Sequence, residues 1–70
     1  LEKLNLKDCL VLAEQNNASA LFNLGLIYEK GLSVKQNFQK AHEYYKKAEV
    51  LGNEKAKFNI EYLKEKKLIN

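Results

Sequence analysis

The 70-residue chain contains no proline, tryptophan, methionine, threonine or arginine, and a single cysteine. The missing proline lets long helices run unbroken, since nothing removes a backbone N–H from the i→i−4 ladder. Alternating runs rich in valine, isoleucine and threonine are absent, so strands are not expected. No apolar run approaches the ~20 residues that a membrane-spanning helix needs, and a membrane partner is not expected either. The net charge of +3 rests on lysine alone. Arginine is the side chain suited to bidentate contacts with phosphates and base edges, and it is missing. The lysines interleave with glutamates and read as a solvated surface; only Lys64, Lys66 and Lys67 cluster, which weighs against a nucleic-acid partner. Cys9, being alone, permits no internal disulfide and fixes no compartment. A chain of this length makes one small domain with a thin core. It begins on Leu1 and not on methionine, which reads as a piece of something longer or a processed product.

What the sequence does contain is an internal echo. Ala20-Leu21-Phe22-Asn23-Leu24 is answered 36 residues later by Ala56-Lys57-Phe58-Asn59-Ile60, and Glu29-Lys30 by Glu65-Lys66 at the same offset. Self-similarity at a spacing in the thirties marks a stacked helical repeat, whose units bury their apolar stripes against one another.

The apolar spacing predicts four helices joined by short turns, and hence antiparallel neighbours. The first covers residues 1–15, with Leu6, Leu10 and Ala13 inward and Leu12 flanking them. Asn16-Asn17 ends it, one asparagine suiting a left-handed stop and the other the next N-cap. The second covers Ala18–Lys30, with Ala20, Leu24, Ile27 and Tyr28 buried, and stops at Gly31. A short loop, residues 32–36, tucks Val34 beneath the helix pair. Asn37 caps the third helix, residues 38–51, which turns Ala41, Tyr44, Tyr45, Ala48 and Leu51 inward and ends at Gly52. Asn53 caps the fourth, residues 54 to about 68, with Ala56, Ile60 and Leu63 inward and lysines in its last turns, where the helix dipole favours them. Gly25 is expected to face the third helix along with Ala41 and Ala48, so that two backbones approach closely. Tyr28, Tyr44 and Tyr45 then fill the wider gaps and send their hydroxyls to the rim.

Ala20, Asn23-Leu24-Gly25, Tyr28, Gly31, Val34, Asn37, Lys40-Ala41, Tyr44-Tyr45, Lys47-Ala48, Gly52-Asn53 and Ala56 together resemble the Sel1-like repeat, a helix-pair relative of the tetratricopeptide repeat. The resemblance covers one whole unit, about residues 18–53. It implies an all-α fold of antiparallel helix pairs stacked as a short right-handed α-solenoid of four helices. It also implies that 1–70 is a single domain: 1–16 the second helix of a preceding unit, 18–53 the complete repeat, and 54–70 a C-terminal capping helix. Ser33 stands where the family usually has a second loop glycine, Asn37 where it usually has Asp, and Glu49 in place of a usual Ala. Glu61 and Lys64 occupy the positions of Gly25 and Tyr28 and would block another helix, as suits a polar cap. Asp8 and Cys9 fall at the positions of Tyr44 and Tyr45. The function implied is a protein-interaction scaffold with no chemistry of its own.

In such a stack the first helix of each pair lines the concave face. Helical spacing from Leu24 and Tyr28 points Ser19, Phe22, Asn23, Leu26, Glu29 and Lys30 there, and in the fourth helix Lys55, Phe58, Asn59, Tyr62, Glu65 and Lys66. The expected partner-binding residues are Phe22, Asn23, Leu26, Lys30, Phe58, Asn59 and Tyr62. Phe22, Leu26, Phe58 and Tyr62 would take apolar side chains of a peptide, and the two asparagines would bond its backbone. The plainer reading has each Phe contacting a neighbouring helix and each Asn tying adjacent helices together. The family often carries Asn before its Leu-Gly, which favours that structural role.

His42, beside Glu43, has no second histidine or paired cysteine with which to hold a metal, and reads as a surface residue. Cys9 reads as a small apolar filler. Lys40, Lys46 and Lys47 with Glu43 and Glu49 read as a soluble outer face. No cofactor, metal or catalytic constellation is expected. Two classes of function remain: a module binding a protein or peptide on its concave face, or a helical piece that self-associates or docks through its open ends. One full unit and two halves fall short of the roughly three repeats a solenoid usually needs, so the second class has weight, with Leu6, Leu10 and Leu12 as its interface.

Overall fold

Asparagine opens every helix of the computed structural model, which describes residues 5–69. Each sits in extended backbone, and its Oδ1 accepts the N–H three residues on: Asn5 from Asp8 (3.1 Å), Asn17 from Ala20 (3.0 Å), Asn37 from Lys40 (2.9 Å) and Asn53 from Ala56 (3.1 Å). Each such bond satisfies an N–H that the helix itself leaves unpaired and contributes roughly 1 kcal/mol. The helices are α1 (Leu6–Glu14), α2 (Ala18–Lys30), α3 (Phe38–Val50) and α4 (Glu54–Glu65). No strand occurs among the described residues. Each helix lies against the next in sequence, as the short joints demand, and the four form a short α-solenoid.

Four expectations are corrected. Asn5 is extended and caps, so α1 begins at Leu6 and not at residue 1; residues 1–4 of the expected helix lie outside the described residues. Its inward stripe is Leu6, Cys9 and Ala13, while Leu10 and Leu12 are exposed. Apolar side chains at 6, 9, 10, 12 and 13 fit two stripes, and the fold takes the one that sets Cys9 where the repeat offset sets Tyr45. At the other end, α3 stops at Val50 and Leu51, its C-cap, is exposed. Finally, α4 ends at Glu65 and not near residue 68. Lys67 turns left-handed (φ 59°), Leu68 N–H bonds Leu63 O at 2.9 Å, and Ile69 folds back into the core. Burying that isoleucine, worth roughly 2 kcal/mol, outweighs another turn of exposed helix.

The larger core cluster joins Leu21 of α2, Ala41, Tyr45 and Ala48 of α3, Ala56, Ile60 and Leu63 of α4, and Ile69. A smaller one joins Cys9 to Leu24 and Ile27, with Val34 packed against it as the loop reading expects. Gly25 does face α3, and what it meets is the ring of Tyr45, placed between Ala41 and Ala48 in sequence; a Cβ there would overlap that ring. Tyr28 and Tyr44 stack at 5.6 Å between centroids, with Lys40 Nζ 5.3 Å from the Tyr28 ring and Lys47 Nζ 5.8 Å from that of Tyr44.

The echo in the sequence is also an echo in the backbone. Asn17 and Asn53 are both N-caps, and Asn16 (φ 58°) and Gly52 (φ 101°) before them are both left-handed. Asn17 N–H bonds Leu12 O as Asn53 N–H bonds Ala48 O. Past the other end of these helices, Gly31 (φ 69°) corresponds to Lys67 (φ 59°), and the Leu32 N–H to Ile27 O bond to that between Leu68 and Leu63. Every pair is separated by the offset of the sequence repeat.

Candidate functional site

Residues at i, i+3, i+4, i+7 share one side of a helix. On α4 and its C-cap Lys66 this rule strings Lys55, Phe58, Asn59, Tyr62, Glu65 and Lys66 along one strip; on α2 it strings Ser19, Phe22, Asn23, Leu26, Glu29 and Lys30. The two strips meet at their starts, where Ser19, Phe22, Asn23, Glu54 and Lys55 line an open cleft of about 680 Å³ together with the turn at Gly52-Asn53.

Burial divides the strips unequally. Phe22 and Leu26 are half-buried against the core, and the Phe22 ring lies 5.7 Å from that of Tyr45, tilted by 40°. Phe58 is 69% exposed and Tyr62 47% exposed, with Lys66 Nζ 5.9 Å from the Tyr62 ring. Lys30, Lys55 and Lys66 are exposed.

Both asparagines are half-buried, and Asn59 is engaged. Asn59 Nδ2 donates to Tyr45 Oη at 3.1 Å, and Tyr45 Oη donates to Glu29 Oε1 at 2.6 Å. One buried phenol thus ties α2, α3 and α4 together. Burial first, and the Glu29 carboxylate second, push its ionisation far above the ordinary tyrosine range, while the bond from Asn59 acts in the opposite sense. One repeat earlier, Asn23 holds the place of Asn59, and its side chain favours the ionised form of the Cys9 thiol against the larger opposing effect of burial. Cys9 holds the place of Tyr45 by the same offset.

The buried Cys9 thiol is pushed up, mainly by burial, and is a poor nucleophile at neutral pH. The half-buried His42 is shifted down, by burial first and then by Lys46 and Lys64, with Glu43 opposing; its imidazole is neutral at neutral pH. Among the described residues, no three His, Cys, Asp or Glu side chains converge on a point where a metal could sit. No helix among them is long and apolar enough to cross a membrane.

A second surface was legible in the sequence only at Leu10, and its Val50 and Leu51 side was not. Leu10, Ala13, Tyr44, Val50 and Leu51 line an open groove of about 720 Å³ between α1 and the end of α3. Val50 is 84% exposed. The signal was the pair Val50-Leu51 directly before the glycine stop, where the apolar stripe of α3 has already ended.

The family model for the Sel1 repeat matches residues 18–53. Among curated proteins, DAP3-binding cell death enhancer 1 of Rattus norvegicus is 38% identical over 55 residues, covering 70% of this chain and 11% of that protein. Its counterpart in Mus musculus is 36% identical over 55 residues, with the same coverage. The chain therefore spans 11% of the length of these relatives. No solved structure matches it. Stacked helices, a recurring backbone and a family match over half the sequence agree: the chain belongs to the Sel1 repeat family, whose repeats generally mediate protein–protein interaction.

Proposed function

We propose that the chain is a protein-interaction module that holds a peptide or protein segment along the strips of α2 and α4, the concave side of the stack. The observation that carries the reading is the exposure of Phe58 (69%) and Tyr62 (47%), one turn apart on α4, at the repeat positions that Phe22 and Leu26 hold on α2. Large aromatic surface left in water on one side of a small domain is surface that a partner covers. Asn59 spends one N–H on Tyr45 Oη and keeps a carbonyl and a second N–H. Tying helices together and bonding a peptide backbone are therefore compatible roles for Asn59, and Asn23 offers its amide one repeat earlier. Lys30 closes the α2 strip. The relatives' name, which records binding to another protein, DAP3, supports a protein partner.

The test is selection of peptides from a displayed random library on the immobilised chain, followed by amide chemical-shift mapping. Shifts centred on Phe22, Leu26, Phe58 and Tyr62 are expected, with binding lost in Phe58→Ala/Tyr62→Ala at unchanged melting temperature. Shifts centred on Leu10, Val50 and Leu51 would end the reading.

Those last residues favour a second one. Leu10, Val11, Leu12, Val50 and Leu51 are all exposed, and a second copy of the chain would cover them. Sedimentation decides. A monomer at every concentration dismisses self-association, and a dimer that dissociates in Val50→Lys/Leu51→Lys supports it.

A further inference from the structure

We infer that two copies of the chain close face to face across the groove between α1 and α3, with a two-fold axis along the groove, so that the α1 wall of each lies over the α3 wall of the other. This rests on the reading in which a second copy covers Leu10, Val50 and Leu51. The apolar surface belongs to this end of the stack. Leu10 and its neighbour Val11 are exposed, and the repeat offset sets them where α3 carries the exposed Lys46 and Lys47. The other end is closed. Lys57, Glu61 and Lys64 of α4, all exposed, hold the places of Leu21, Gly25 and Tyr28, the side of α2 that meets α3. A helix seated there would bury three charges, so copies pair and do not stack end to end into filaments.

Charge picks out the axis. α1 and α3 both pack antiparallel on α2 and so run parallel to each other. The charged side chain lining the α1 wall is Glu14, and those lining the α3 wall are Lys46 and Lys47. Nearer the start of each helix, Lys7 and Glu43 hold one repeat position with opposite charge. An axis along the groove lays each position of α1 over the same position of α3 in the other copy. Lys7 then meets Glu43. Glu14 falls beside Val50, roughly 5 Å along the helix from Lys47 and 6 Å from Lys46 at 1.5 Å per residue, within reach of both ammonium groups. Leu10 covers the lysine stems, which lie along apolar surface while their heads stay in water. An axis across the groove would instead lay α3 on α3, whose outward Lys40, Lys46 and Lys47 repel their own copies.

The experiment is sedimentation equilibrium of the whole chain at low salt, from about 1 µM to about 500 µM, the range suited to a small interface. It compares the native chain, Glu14→Lys, Lys46→Glu/Lys47→Glu, and an equimolar mixture of the two variants. The native chain is expected to show monomer and dimer alone. Each variant by itself is expected to dimerise about tenfold more weakly, because like charges then face each other at both symmetry-related contacts. The mixture is expected to form a mixed dimer within about threefold of the native affinity, each variant supplying the charge the other lacks. At about 1 M salt these differences fade. The three positions are exposed, and melting curves at low concentration check that each variant is folded. A dimer that dissociates in Val50→Lys/Leu51→Lys but ignores both charge reversals, or a mixture no tighter than its components, overturns the two-fold arrangement and leaves self-association standing. Species larger than a dimer overturn the closed pair in favour of end-to-end stacking. A monomer at every concentration overturns self-association as well.

Discussion

Gly25 and Tyr45 touch: the edge of the tyrosine ring occupies the space that a side chain at position 25 would need. Helix propensity alone favours Gly25→Ala by roughly 1 kcal/mol. Overlap with a wholly buried ring costs more, since neither helix backbone can retreat without opening the larger core cluster. Gly25→Ala is expected to lower stability by about 1–3 kcal/mol in urea unfolding. A more stable variant would show that α2 and α3 do not approach as closely as described.

Tyr45→Phe removes the hydroxyl that links Glu29 to Asn59 and is expected to cost about 1–2 kcal/mol. It also changes the response to alkali. The Tyr45 phenol ionises far above its ordinary value near 10. Above that pH the unfolded chain has released the proton and the folded chain has not. The contribution is therefore whole below pH ~10 and is lost as pH rises beyond it, with a limiting slope of ~1.4 kcal/mol per pH unit. Burial raises Tyr44 as well and adds in the same sense. Denaturation midpoints between pH 9 and 12 are expected to fall steeply for the native chain and less steeply for Tyr45→Phe.

Ser33 (φ 65°) and Lys67 (φ 59°) hold left-handed conformations that suit glycine. Relief of that strain exceeds the extra entropy glycine brings to the unfolded chain. Ser33→Gly and Lys67→Gly are each expected to stabilise by about 0.5 kcal/mol, roughly 3 °C in melting temperature for a domain of this size. Gly31→Ala should move the other way by about 1 kcal/mol, since a Cβ at φ 69° would also crowd Gln36 at 3.2 Å.

Phe22 and Phe58 are the same letter at the same place in the repeat, and the structure separates them. Phe22 leans on Tyr45 and the core cluster, while Phe58 stands mostly in water. Phe22→Ala is expected to cost about 2 kcal/mol and Phe58→Ala less than about 0.5 kcal/mol. Equal losses in parallel melting curves would mean that Phe58 is buried after all, and would take away the main support for a binding role.

The sequence offset made the helices, the caps at Asn17, Asn37 and Asn53, and the stop at Gly31 legible, because each depends on residues within one turn. Asn5 stayed hidden among Leu1, Leu4 and Leu6, whose spacing imitates an unbroken helix. Cys9 lost its place to Leu10 in the stripe because periodicity weighs side chains by hydrophobicity, whereas the repeat offset weighs them by position. The link from Glu29 through Tyr45 to Asn59 joins residues 16 and 14 apart on three helices, and no local pattern contains it. The return of Ile69 to the core was invisible for the same reason, since it depends on a lysine taking a glycine's conformation.

The joints at either end of the repeat carry a practical consequence. Asn16-Asn17 and Gly52-Asn53 make the same turn into the following helix, and Asn23 stands one repeat offset before Asn59, which bonds Tyr45. A gene in which residues 18–53 were spliced in twice would need no redesigned junction: the inserted Asn23 would find a Tyr45 ahead of it, and the rod would lengthen by one rung. Duplication, the simplest of genetic accidents, is thus an operation this backbone is built to accept.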